Sequence, residues 1–300
     1  MAEFRGGPVT VRVPATSANL GPGFDSFGLC LDLCDVVTAE VAGSGLVVDV
    51  TGEGAESLTC DESHLVVRAM RATFEQLGGQ PPGLRLHCVN DIPHGRGLGS
   101  SAAAIVSGVR LAAEIAAAPA VSAAQELRLA TELEGHPDNV AACLFGGLTI
   151  TWAGEGRPEV VSLAVHPDIR AVALIPPHAL STEVARGLLP ASVPHRSASA
   201  NAARAGLLVA SLTVAPELLL AGTRDFLHQQ YRRAAMPDTI DLVDRLRNAG
   251  LAAVVSGAGP TVLVLTAGSG GVGEIAGWAP PGWAARACTV RRTGAVVEPE

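Results

Sequence analysis

The chain predicts an α+β fold in two units, on three observations from its 300 residues. Runs alternating between apolar and polar positions, the mark of half-buried strands, dominate the first third. Helical segments fall among them without strict strand-helix alternation, which favours α+β over a doubly wound parallel sheet. A turn-rich stretch, "WAGEGRP" at 152–158, precedes a new strand from residue 170, so the chain divides near residue 163 into units of 1–163 and 164–300. This length supports one large core or two ordinary ones.

The first strands carry Val9, Val11 and Val13, then Val37, Ala39 and Val41, then "GLVVDV" at 45–50. A helix follows around "SHLVVRAMRATFEQLGG", closed by Gly78 and Gly79. The next strand alternates Leu84, Leu86 and Cys88 against Arg85 and His87. A second helix leaves a glycine-rich stretch near residue 99 and runs to about Ala118. The third has Ser122 and Gln125 as a capping box, Leu127, Ala130 and Leu133 as its apolar stripe, and Gly135 as its stop. "GGLTITW" is a strand that leads to the break. Beyond it come the strand "RAVALIP", helices at "STEVARGLL", 197–214, 216–230 and 238–249, and the hairpin-like "LAAVVSGAGPTVLVLTAG". The segment 267–273 is a turn into a last helix.

Composition removes several function classes. The formal charge is −8 and the arginines are scattered, which argues against a nucleic-acid surface. Although 48% of residues are hydrophobic, no apolar run approaches the roughly 18 residues of a membrane span. The opening lacks a secretory pattern, so a cytoplasmic location is expected. Six cysteines, at 30, 34, 60, 88, 143 and 288, form no zinc pattern and read as ordinary buried thiols. All 21 basic residues are arginine. With no lysine there is no Walker A loop, no Schiff base and no protein-kinase ATP site.

One stretch, "PHGRGLGSSAAA" at 93–104, asks for a ligand. The first N–H groups of a helix are unpaired and partly positive, so a glycine-rich entry offers a nest of donors to phosphate. Gly97, Gly99 and Ala102 fit G-x-G-x-x-A, but a second helix follows where a dinucleotide fold needs a strand ending in an acidic residue. What remains is a loop that holds phosphate with backbone and serine hydroxyls. The other reading is a helix start with flexible glycines and serine caps alone.

Three blocks, "VPATSANLGPGFDSFGLCLDL", "IPHGRGLGSSAAA" and "VVSGAGPTVLVL", together resemble the three signature motifs of the GHMP kinases over nearly the whole chain. The first block, "EGHPDNV" at 134–140 and "STEVAR" at 181–186 are similar to the homoserine kinase group of that superfamily. The resemblance implies a two-domain α+β GHMP kinase fold with the active site between the domains. It further implies ATP with Mg²⁺ as donor, and phosphorylation of the L-homoserine hydroxyl on the route to threonine. A homodimer is the oligomer it suggests.

The resemblance also implies roles for particular residues. Pro93, Gly95, Arg96, Gly97, Leu98, Gly99, Ser100, Ser101, Ala102 and Ala103 form the nucleotide loop. Ser101 and Glu132 hold the metal, with Glu134 the nearby alternative, which an ideal helix turns about 200° away. Few protein oxygens beside phosphate and water suit Mg²⁺. Asn19 and Asp25 meet the hydroxyl and ammonium end of the acceptor, and Arg186 with Arg232 grips its carboxylate, for which a planar guanidinium is the fitting partner. His136 and Thr182 line the pocket. Asp138 sits where mevalonate kinases place a catalytic aspartate, and His64 stands near the adenine where relatives often have asparagine. Two rivals stand beside this reading: a mevalonate-type kinase, for which Arg186, Arg232 and Asp25 would be wasted, and a nucleotide sensor without an acceptor site.

Overall fold

The computed structural model describes residues 3–116, 121–268 and 271–299, so residues 117 and 118 of the expected second helix and part of the turn at 267–273 lie outside the described residues. The first unit is built on β1 (Val9–Asn19), β2 (Gly23–Ala42), β3 (Gly45–Gly52), β4 (Gly83–Asn90), β5 (Leu148–Ala153) and β6 (Pro158–Leu163). Its spatial order is β11-β1-β2-β4-β3, where β11 is Val296–Val297, with β5 joining β2 and β6 lying outside β5; among the described residues only β3 and β4 run parallel. The 20 residues of β2 pair with β1 along one edge and serve two partners on the other: residues from Val36 onward pair with β4, and Phe27 to Leu29 pair with β5.

Helices α1 (Leu65–Gln76), α2 (Ser100–Ile115), α3 (Ala123–Glu134) and α4 (Pro137–Phe145) cover this sheet. The α2 helix is buried along most of its length because Ala, Gly and Val let α1 and β1 approach closely. The Ser122 and Gln125 capping box opens α3, and Gly135 ends it in a left-handed conformation. Sequence periodicity misses α4. Pro137 at its first turn starts a helix where "HPDN" reads as a polar loop before an apolar strand.

The second unit holds β7 (Ile169–Ile175), α5 (Thr182–Gly187), α6 (His195–Thr213), α7 (Leu219–Gly222), α8 (Pro237–Asn248), β8 (Ala252–Val255), β9 (Val262–Ala267), α9 (Val272–Ala276) and β10 (Ala284–Thr289). Its antiparallel sheet runs β10-β7-β9-β8, and the β8/β9 hairpin is the one expected at 251–268. The helix expected over 216–230 is replaced by short helical turns and a loop. There the Asp225 carboxylate accepts the N–H groups of Leu227, His228 and Gln229 at 2.9, 3.1 and 2.7 Å, which stops any helix running through. The final strand β11 (Val296–Val297) returns to pair with β1, so the chain's end joins the first sheet. One apolar cluster draws on both sheets, with Ile169, Leu208 and Leu263 beside Leu29 and Ile105. All six thiols are free; Cys60 is exposed rather than buried.

Candidate active site

The glycine loop is where the two units meet. Gly95, Gly97 and Gly99 take φ of 65°, 74° and 73°, the left-handed region open to glycine, and Gly99 is the residue before α2. The loop is pinned from both sides: Thr16 N–H donates to Leu98 O at 3.0 Å, and Ser256 Oγ donates to Gly97 O at 2.6 Å. A Cβ on Gly97 would run into the carbonyl of Ser256 and come within 2.8 Å of Gly259 O. The close approach therefore needs glycine for the seam between units, as well as for any anion. Arg96 reaches away, donating to Pro177 O at 2.6 Å and His94 O at 2.5 Å, while Leu98, Ala102 and Ala103 are core residues.

A cavity of about 110 Å³ opens in front of this loop. Of the residues that the sequence singles out, Asn19, Gly95, Gly97, Gly99, Ser100, Ser101, His136, Thr182, Arg186 and Arg232 line it together. Pro93, Arg96, Leu98, Ala102, Ala103, Asp25 and Glu132 do not. Lining residues that sequence reasoning did not assign include Ala18 and, from the third block, Gly257 and Ala258; Asp138 and Asn139, expected to shape the site, also line it. Asn139 lies in the quoted "HPDN", whose crowding of polar side chains is the available signal.

Glu132 is the one expected ligand that the structure moves. Its carboxylate lies on the outer face of α3, 2.8 Å from Arg128 one turn earlier, with 53% of the side chain exposed. Two residues of helix turn the side chain through about 200°, and Glu134 is the carboxylate that faces the loop. Ser101 Oγ donates to Glu134 Oε2 at 2.7 Å. Burial raises the Glu134 carboxyl above its ordinary value, against the opposing pull of Ser101 and His136.

His136, at the entry of α4, stands 3.6 Å from Asp138, whose carboxylate raises it. Asp138 is buried and accepts the Asn139 N–H at 2.7 Å; Asn139 in turn accepts from Thr16 Oγ1 at 2.8 Å. These bonds tie α4 to β1 beside the loop. Asn19 lines the cavity with its amide partly spent: Nδ2 donates to Gly257 O at 2.8 Å and Oδ1 accepts the Asp25 N–H at 2.9 Å.

Two guanidiniums close the other side. Arg186, on α5, donates to both oxygens of Asp25 at 3.0 and 2.7 Å, which raises its pKa and joins two residues that the sequence gives separate tasks. Arg232 is 1% exposed and, among the described residues, has no carboxylate partner in contact. Its Nη1 bonds His228 Nδ1 at 3.1 Å and Gly257 O at 3.2 Å, and its Nε bonds nothing. Burial, then the like charge of Arg186, lower Arg232 to about 10, so it remains cationic at neutral pH. A buried cation without an anion is costly unless a ligand supplies one.

Behind the loop, a second space of about 220 Å³ is lined by His64, His94, Val37, Leu65, Ser100 and Ala104 among others. His64 is 5% exposed and neither ring nitrogen has a hydrogen bond. Burial lowers both histidines, which favours neutral rings.

Residues 64–147 match the GHMP kinases N terminal domain and residues 204–276 match the GHMP kinases C terminal domain. A homoserine kinase from Streptomyces avermitilis is 53% identical over 99% of this chain and 97% of its own length. Another, from Clavibacter michiganensis subsp. michiganensis, is 55% identical over 86% of this chain and 82% of its own. The crystal structure of homoserine kinase from Cytophaga hutchinsonii superposes with a TM-score of 0.86 at 27% identity, covering 97% of each chain. With the seam between two α+β units holding the glycine loop, and with relatives of this identity end to end, the chain belongs to the homoserine kinases of the GHMP kinase family.

Proposed function

We propose that the chain transfers the terminal phosphoryl group of ATP to the side-chain hydroxyl of L-homoserine, giving O-phospho-L-homoserine for threonine biosynthesis. The observation that carries the acceptor is Arg232. A buried guanidinium at the cavity wall, unpaired with any carboxylate among the described residues, suits the carboxylate of an amino-acid acceptor. Arg186 lines the same cavity, and both guanidiniums approach the Phe24 ring, each 5.8 Å from its centroid, so two cations face one acceptor site. Asp25 does not line the cavity; its carboxylate is held by Arg186, and its negative charge favours an ammonium on that side.

The donor side rests on the loop. Backbone N–H groups at the start of α2 neutralise phosphate oxygens, and the apolar space holding His64 adjoins them through Ser100 and Ser101. Mg²⁺ fits Ser101 and Glu134. Among the described residues no three acidic or imidazole groups cluster as a metal cage, and Mg²⁺ prefers one or two protein oxygens plus phosphate and water. When bound there it would neutralise charge on the transferring group. Phosphoryl transfer needs little more than positioning and charge neutralisation, so Asp138 and Asn139 are assigned to shaping the site.

An ADP-release assay across homoserine, mevalonate and galactose tests this reading. Turnover with homoserine alone is expected; preference for mevalonate would remove it.

A further inference from the structure

His228 does no work in the mechanism above, yet it is one of the most constrained side chains in the molecule. It is 1% exposed, and both ring nitrogens are engaged. Nδ1 lies 3.1 Å from Arg232 Nη1, and Nε2 lies 2.8 Å from Gly21 O. A guanidinium only donates, so Nδ1 must accept; a carbonyl only accepts, so Nε2 must carry the proton. The two contacts together fix a neutral ring in one tautomer. Burial acts the same way, keeping the imidazole uncharged beside the guanidinium.

The ring is also stacked. Phe24 lies on it with centroids 5.0 Å apart and planes 27° apart, and both Arg186 and Arg232 lie against that phenyl ring. The loop carrying His228 is set by the Asp225 carboxylate, which accepts three successive N–H groups and sits 3.6 Å from Nε2. Next door, Gln229 Oε1 accepts the Val255 N–H at 2.6 Å, which fastens the same loop to β8. The imidazole is thus held on its faces, at both nitrogens and through its backbone.

We propose that His228 is a positioning residue for acceptor recognition: it orients the Arg232 guanidinium so that the acceptor carboxylate meets it in a fixed plane. This rests on the reading of the cavity as the homoserine site. Among the described residues Arg232 Nη2 and Nε have no hydrogen-bond partner, and without the His228 ring Nη1 would be held by Gly257 O at 3.2 Å alone, which leaves the guanidinium plane less fixed. Phe24 stacks on the His228 ring and also lies against Arg186, so it packs against both the ring and the second guanidinium.

Three variants test the proposal. His228→Leu removes the acceptor for Arg232, and KM for homoserine is expected to rise about ten- to hundredfold, with kcat and KM for ATP within about twofold of wild type. His228→Asn places an amide oxygen close to where Nδ1 stands and is expected to recover most of that loss. In an Arg232→Leu background, His228→Leu is expected to change KM little further, because the interaction it serves is already gone. Far-UV circular dichroism and melting temperature are followed throughout, and if His228→Leu fails to fold, His228→Asn against His228→Gln carries the test, since Gln reaches the Gly21 side instead. Equal KM for the Asn and Gln variants, or additive losses in the Arg232→Leu background, would overturn the positioning role. Failure of the wild type to use homoserine at all would instead remove the underlying reading, so the two failures are distinct.

Discussion

The exchange of Glu132 for Glu134 shows how far half a turn of helix decides chemistry. Both carboxylates lie in one stretch of sequence, but Glu132 meets Arg128 in solvent, while Glu134 meets Ser101 at the loop. Glu134→Gln is expected to lower kcat by about a hundredfold or more with the fold intact, because the charge it removes matters most as charge develops in the transition state. Glu132→Gln is expected to leave kcat within about twofold, since an exposed i,i+4 pair contributes only about 0.3–0.5 kcal/mol to stability. Steady-state kinetics of the two variants settles the assignment. The pH dependence follows from the same burial. Glu134 has its carboxyl raised, so as pH falls it takes up a proton earlier than an ordinary glutamate and the proposed metal site loses its charge. An acid limb in kcat/KM for ATP, which reports the free enzyme, is therefore expected above the ordinary carboxylate range, and it should disappear from the residual activity of Glu134→Gln.

At the scale of elements, the strands and long helices were legible because each carries its own period. The alternation in β1 and β4 and the capping box of α3 are local signals that the tertiary structure leaves in place, whereas β5 forms as expected but buries Thr149 and Thr151 and exposes Trp152. What was illegible depended on contacts between distant segments. Helix α4 has no amphipathic run long enough to announce it, and the 216–230 region breaks because one carboxylate, Asp225, satisfies backbone groups locally. The loop's glycines were legible as a nest, but their other task, letting Ser256 approach Gly97, requires a partner 159 residues away. Gly97→Val is therefore expected to lose ATP affinity by calorimetry together with thermal stability, since the branched side chain would push the seam apart. A variant with normal melting temperature and lost ATP affinity would assign Gly97 to the anion alone.

Asp35, on β2, belongs to the same scale. Its Oδ1 accepts the N–H groups of Asp91 and Ile92 at 2.7 and 2.9 Å, fixing the turn that leads from β4 into the loop. Burial outweighs those bonds and raises its carboxyl to about 6. Because the folded value lies above the unfolded one, the folded state binds the proton more tightly. Stability is then expected to fall as pH rises from about 4 to about 6, by roughly 2–3 kcal/mol, and to level off above. Asp35→Asn keeps an oxygen at the same place without the charge, so its denaturation midpoint should be flat across that window.

The acceptor site exists only at the scale of the whole molecule. Asp25 and the loop come from the first unit, Arg186 and Arg232 from the second, and no segment alone contains a site. Individual residues could therefore be named from sequence, while the ion pair between Arg186 and Asp25 could not, because 161 positions separate them. The pairing also makes the two arginines unequal. Arg232→Leu removes a buried cation that has no carboxylate partner among the described residues, so its effect should fall on the acceptor. A charged hydrogen bond is worth about 1.5–3 kcal/mol, so kcat/KM for homoserine should drop roughly ten- to two-hundredfold with ATP binding unchanged. Arg186→Leu removes a similar contact and also strips Asp25 of its partner, so it should disturb the ammonium side as well. Homoserine compared with its carboxylate ester separates these effects. Wild type should prefer the acid strongly, Arg232→Leu should lose that preference, and Arg186→Leu should lose it while also weakening use of the ester. If Arg232→Leu still discriminates acid from ester as wild type does, the carboxylate is held by another group, and the buried guanidinium must then be explained by packing alone.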